Sequence, residues 1–173
     1  MAITLFQIDK SGGDIFEKDY SIVLVVNRES VYGINISKEI KDKLIYYYKK
    51  GDLNINSHSE KKKKKRFMIR FHTSVVIKLI EKAIKDLGYI EEMNVQICND
   101  FDGHFHEIKD MVFKNLSRLI SNLKPEDIVQ TKFSKSSLID RAGKSFRNND
   151  REELKNYNKV KLNLEELINL IKK

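Results

Sequence analysis

Metal-assisted phosphoryl transfer needs acidic side chains gathered from separate elements. Two divalent ions about 3.5–4 Å apart must be held by oxygen ligands, one activating water and the other stabilising the leaving oxygen. The 173-residue sequence offers such a set: Asp9 where a first apolar segment ends, Asp100 and Asp102 where a later one ends, Asp140 on a basic stretch near the C-terminus, and Glu39 at the start of a helical pattern. Spacing alone leaves Asp100 and Asp102 equivalent as ligands. Each carboxylate also has a structural reading. Asp9 can open a turn by bonding backbone amides two residues on. Asp100 and Asp102 can cap the helix that follows, Asp140 can be an exposed ion-pair partner, and Glu39 suits a first helical turn. The case for chemistry is that the aspartates coincide at strand ends.

Thirty-three Lys and Arg against twenty-five Asp and Glu give a net charge of +8, which points to a polyanionic partner such as nucleic acid. A merely solubilising basic surface is the plain alternative. The positive charge is concentrated in two places. Lys61, Lys62, Lys63, Lys64, Lys65 and Arg66 form an unbroken run, expected as a solvated or nucleic-acid-bound loop. Around Asp140 stand Lys135, Arg141, Lys144 and Arg147, where Arg141 and Lys144 share a helical face and form a phosphate clamp beside the acidic group.

These residues must be positioned by the elements between them. Residues 2–8 read as a strand running into a turn at 9–14, residues 20–27 as a central strand apolar on both faces, and residues 31–36 as a third strand hairpinned to it. Ser37 caps a helix that ends near Gly51, and residues 52–60 read as loop. After the lysine run, Phe67, Ile69 and Phe71 alternate briefly, and residues 72–87 carry the 3.6-residue repeat of an amphipathic helix. Residues 93–98 alternate as a strand. A turn at 99–103 leads into a long helix with apolar residues from Ile108 to Leu123, and Pro125 breaks the chain before a strand at 127–132. A basic helix over 135–146 and a short amphipathic one over 162–171 complete the chain. The expectation is one domain over residues 1–150 and a C-terminal helical tail over 151–173. Its class is α/β, a three-strand antiparallel meander followed by alternating helices and strands in one mixed sheet flanked by helices.

That element order, with the segments Gln7-Ile8-Asp9-Lys10-Ser11-Gly12, Lys38-Glu39-Ile40, Cys98-Asn99-Asp100-Phe101-Asp102 and Leu138-Ile139-Asp140-Arg141, resembles the ribonuclease H-like superfamily. The resemblance implies Mg²⁺ or Mn²⁺ held by Asp9, by Asp100 or Asp102, and by Asp140, with Glu39 as a further ligand. It implies hydrolysis of phosphodiester bonds in RNA, DNA or a hybrid. The chain departs from type-two ribonucleases H, which carry Asp-Glu-Ala-Gly where this sequence has Asp9-Lys10-Ser11-Gly12.

Other chemistries find less support. His104 and His106 would ligate zinc only if extended, since on a helix they point about 200° apart. Beside the carboxylates they would assist proton transfer or bind phosphate. Cys98, the single cysteine, reads as an inert thiol and excludes an intramolecular disulfide. Neither a Walker loop nor a dinucleotide fingerprint occurs. Tyr46, Tyr47 and Tyr48 suggest base stacking or core packing. With no signal-like start and no apolar run near 18 residues, the expected setting is the cytoplasm without a membrane. The leading expectation is a two-metal nuclease acting on nucleic acid. The alternative is a non-catalytic nucleic-acid-binding or assembly module of the same fold.

Overall fold

A computed structural model of the chain describes residues 2–13, 15, 16 and 20–173. The elements are β1 (Ile3–Gly12), β2 (Tyr20–Val26), β3 (Ser30–Asn35), α1 (Lys38–Lys50), α2 (Glu60–Leu87), β4 (Glu92–Cys98), α3 (Phe105–Leu116), β5 (Ile128–Thr131), α4 (Leu138–Asn148), α5 (Arg151–Leu154), β6 (Asn158–Lys159) and α6 (Leu164–Lys172). A short 3-10 turn at Pro125–Asp127 precedes β5. The fold is α/β, one six-stranded mixed sheet flanked by helices, in the order β5-β4-β1-β2-β3-β6. Strands β1, β2 and β3 pair antiparallel, whereas β4 runs parallel to β1, β5 to β4 and β6 to β3.

Strand periodicity divides the side chains between two cores. Phe6 and Ile8 of β1, with Met93, Val95 and Ile97 of β4, turn to the face covered by α2, α3 and α6. Val23 and Val25 of β2 and Val31 of β3 turn the other way, onto Ile139, Ala142 and Phe146 of α4. β2 is buried along its whole length, as its unbroken apolar sequence requires. α4 contacts β1, β2 and β3, so one half of that sheet face lies under a helix.

Several boundaries differ from the sequence reading, each for a physical reason. β1 does not end at Ile8: it continues through Asp9 to Gly12 because β2 supplies antiparallel partners up to Gly12↔Tyr20. Of the turn expected over 9–14, Asp14 lies outside the described residues. The run from Lys61 to Arg66 is no loop but the opening of α2, and Phe67, Ile69 and Phe71 belong to the same helix. Ser59 caps it by accepting from the Lys62 N–H, lysine is a good helix former, and Phe67, Phe71 and Val75 extend the helical repeat backwards. At 28 residues α2 is about 42 Å long. The helix expected to reach Leu123 stops at Leu116. Ser117, Ser121 and Asn122 favour turns, yet Ile120 and Leu123 remain buried in those turns. Residues 151–173 carry α5 and β6 as well as the expected helix, with β6 adding to β3 and α6 packing on α2. Among the described residues no helix is long and apolar enough to cross a membrane.

The α4 packing depends on one close approach. Gly33 of β3 faces the Phe146 ring, which is buried and stacked on Tyr157 at 6.0 Å, and a Cβ at position 33 would overlap that ring. Gly33→Ala is therefore expected to cost about 1–3 kcal/mol of stability by overpacking. Urea denaturation checks the value, and adding Phe146→Leu should recover part of the loss.

Candidate metal centre

The parallel β1–β4 ladder ends at the pair Ile8↔Ile97, and the next residues along are Asp9 and Cys98. β1 is held further by β2, where Asp9 pairs with Val23. β4 instead ends at Cys98 and turns, with the Asp100 N–H bonding back to the Cys98 carbonyl at 3.0 Å. Asp9, Cys98 and Asp100 thus meet at the carboxyl end of β4, beside β1, whose two neighbours run in opposite senses. Such strand-end crevices are where open α/β sheets collect ligands. One ligand atom from each of the three lies within 4.8 Å of the others, and the group could hold a metal ion.

The electrostatics suit a cation. Burial raises the proton affinity of Asp9, the Asp140 carboxylate raises it further, and bonds from the Cys98 thiol and the Lys10 N–H oppose the rise. The Lys10 N–H donates to Asp9 Oδ1 at 2.8 Å. Asp100 is pushed from an ordinary 3.8 up to about 7, by burial first and then by the charge of Asp9, with Lys10 acting against both. Its Oδ2 is buried and has no hydrogen-bond partner among the described residues. An orphaned carboxylate oxygen beside a second carboxyl group is a site short of positive charge.

Cys98 has a different role from its neighbours. Burial and the two nearby carboxylates push its thiol up to about 12, so at neutral pH it keeps its proton and donates to Asp9. A hard divalent cation fits the two carboxylates. The protonated thiol does not suit such an ion as a ligand and is better described as the donor that orients Asp9.

The other expected ligands are distributed around this centre. Asp140 lies in the first turn of α4, near enough for its charge to act on Asp9, and it is held by Lys144 at 2.8 Å. Asp102 points elsewhere: it accepts from the Asn99 side chain at 2.8 Å and lines a groove against α2. Glu39 stands outside the cluster on the exposed side of α1, where Lys43 pairs with it at 2.7 Å. Parity separates Asp100 from Asp102 only together with the turn after β4, which the sequence does not define. Cys98 was legible as part of the site by strand alternation, because Asn94, Gln96 and Cys98 share the face opposite the buried Met93, Val95 and Ile97. A thiol that keeps its proton agrees with the inert-thiol expectation, to which the structure adds its place beside the carboxylates.

Of the other candidates, His104 bonds Glu107 through Nδ1 at 3.1 Å and His106 is exposed. Tyr48 stacks on Phe67 at 4.8 Å within the core, whereas Tyr46 is exposed. Lys135, Arg141, Lys144 and Arg147 are all exposed on or just before α4.

Because the folded chain holds a proton on Asp100 that the unfolded chain releases above 3.8, stability is expected to fall as pH rises from 3.8 to about 7. Thermal midpoints measured across that range should show the decline in the wild type and a flatter profile in Asp100→Asn. A divalent cation favours the ionised carboxylates, so Mn²⁺ at pH 8 should raise the wild-type midpoint and leave that of the Asp9→Asn, Asp100→Asn double variant unmoved. No protein-family model, no curated protein and no solved structure matches this chain.

Proposed function

We propose that the protein is a metal-dependent nuclease that hydrolyses phosphodiester bonds in nucleic acid, with a ribonuclease H-like fold. The observation that carries this reading is the convergence of Asp9 and Asp100 on one point, with Asp140 acting on Asp9 from a different element. The mixed sheet, ordered β5-β4-β1-β2-β3-β6 with the antiparallel meander expected of the first three strands, supports the reading from a second side. A fold alone hosts many functions, so the weight rests on the carboxylates.

In this reading Asp9 and Asp100 hold Mg²⁺ or Mn²⁺, and Asp140 completes the site once Lys144 is displaced. When bound, the ions supply a Lewis acid for the phosphoryl oxygens and lower the pKa of a coordinated water. The protein's own part is to hold the carboxylates in register. The β1–β2 ladder fixes Asp9, the Cys98 thiol and the Lys10 N–H orient its oxygens, and partial burial limits competing water. The exposed cations of α4, Arg141, Lys144 and Arg147, stand on the same helix as Asp140 and offer a clamp for the phosphate backbone.

Incubating labelled single-stranded RNA, single-stranded DNA and an RNA–DNA hybrid with the protein and Mn²⁺ tests the reading. Product is expected in at least one arm, with EDTA abolishing it. Asp9→Asn and Asp100→Asn should each lower the rate by about 100-fold or more, as expected when a metal ligand is lost from a hydrolytic site. Equal rates in wild type and Asp9→Asn would sink the metal assignment. Salt-dependent binding with no metal-dependent product in any arm would favour the non-catalytic module.

A further inference from the structure

On the sheet face opposite α4, a furrow runs between α2 and α3, and its upper end opens at Asp102 and His104, in the short link between β4 and α3 that also carries Asp100. The upper part encloses about 870 Å³ and the lower about 490 Å³, and they share Arg66, Ile69 and Glu107, so they form one continuous channel. Nine lysine and arginine side chains line it against three carboxylates, Asp102, Glu107 and Asp110. Among the described residues, no carboxylate pairs with Lys61, Lys65, Arg66, Lys114 or Arg118.

This charge is misplaced for structural purposes. The first turns of a helix carry the positive end of its dipole, where cations are unfavourable, and α2 places Lys61 through Lys65 there in succession. Among the described residues, only Lys63 of these gains a carboxylate, Glu60 at 3.9 Å. Lys65 instead lies over the Phe101 ring at 5.1 Å and Arg66 donates to the Asn56 carbonyl at 2.6 Å, so both heads are held near the furrow. The floor is of another character: Met68, Ile69 and Met111 line it with apolar surface.

We infer that this furrow is the binding track for a single strand of nucleic acid. Cationic rims match phosphates, and an apolar floor matches the faces of unpaired bases. A duplex buries those faces in its own stack and offers only the phosphates. From Lys61 to Arg70 the track extends about 14 Å along α2, and Lys114 and Arg118 line its continuation from α3. The inference rests on the nuclease reading for its choice of polyanion, and it adds the form of the substrate and the path it takes.

Binding measured without cleavage tests it. Fluorescence anisotropy would follow a labelled oligouridylate of about 12 nucleotides, and the same strand paired with its complement, in EDTA across a salt series. Single-strand binding should be the tighter. In the Lys114→Glu, Arg118→Glu variant it should weaken by about tenfold or more, and the slope of log affinity against log salt should shrink by about 1.4, the loss of two phosphate contacts. Lys61→Gln with Lys65→Gln, at the other end, serves if the first variant fails to keep the wild-type thermal midpoint. Lys49→Glu with Lys50→Glu on α1 should stay within about twofold of wild type. Wild-type affinity in both furrow variants, or duplex binding as tight as single-strand binding, would overturn the proposal. The two readings separate cleanly: tight furrow-dependent binding without any cleavage sinks hydrolysis alone, and cleavage with furrow-independent affinity sinks the track alone.

Discussion

The double pairing of β1 is the constraint from which the candidate site follows. β1 is antiparallel to β2 as far as Gly12 and parallel to β4 only as far as Ile8. Four residues of β1 therefore stay locked on one side after their other neighbour has turned away. Asp9 is the first of them. A carboxylate placed in a loop would rotate into water and keep its usual acidity. Fixed in a ladder and partly buried, it cannot, and its proton affinity rises instead. The same parting of strands releases the chain after Cys98, which brings Asp100 back toward Asp9, whose charge adds to burial in raising the cost of ionising Asp100.

Asp100 depends on its neighbour in sequence to stay there. Phe101 is buried and meets the His72 ring edge-on at 5.1 Å, while Lys10 and Lys65 lie over its face at 5.9 and 5.1 Å. His72, wholly buried on α2, bonds the Tyr20 hydroxyl at 2.9 Å, and burial pushes its pKa down to about 3, so it packs as a neutral ring. The turn after β4 is thus pinned through Phe101 to both α2 and the start of β2. Lys10 connects the two sides: its N–H orients Asp9, and its ammonium bonds the Gly13 carbonyl at 3.1 Å and lies 5.6 and 5.9 Å from the ring centres of Tyr20 and Phe101. Lys10 is therefore a structural clasp between the carboxylates and the aromatic cluster.

Local chemistry made the core of the fold legible in the sequence. Ser37 and Gly51 bracket α1, and the unbroken apolar run of β2 lies at the centre of the sheet, whereas the basic helix begins at Leu138 and not at 135, because Ser137 caps it by accepting from the Asp140 N–H. What stayed hidden was set at long range. β1 extends past Asp9 because β2 offers partners, β6 exists because β3 has an unpaired edge, and neither fact is written in the segment concerned. The lysine run misled for a different reason: repulsion between like charges argued against order, whereas Ser59 at one end and the buried Phe67 and Phe71 at the other propagate the helix through it. Asp9 and Asp100 stood out as candidates because the sequence suggested strand ends there, although β1 runs on past Asp9 to Gly12. The return of Asp100 toward Asp9 was not legible, since it needs the turn geometry after β4.

The state of the three side chains decides what kind of ion the centre would favour. With Cys98 protonated up to about 12, the thiol adds no negative charge, and the attraction for a cation comes from the two carboxylates alone. The two carboxylates offer hard oxygen donors, and the sulfur would join them only if an entering metal displaced the thiol proton. Those oxygens are contested by protons, because Asp100 is half protonated at about pH 7. Any cation entering must displace that proton, so its affinity strengthens with rising pH until the carboxyl is ionised and then levels off. Lys144, paired with Asp140 at 2.8 Å, is a second competitor, a tethered ammonium already close to the oxygens a second ion would need. Proton and lysine together hold the acidic groups in a folded apo state that their mutual repulsion would otherwise oppose.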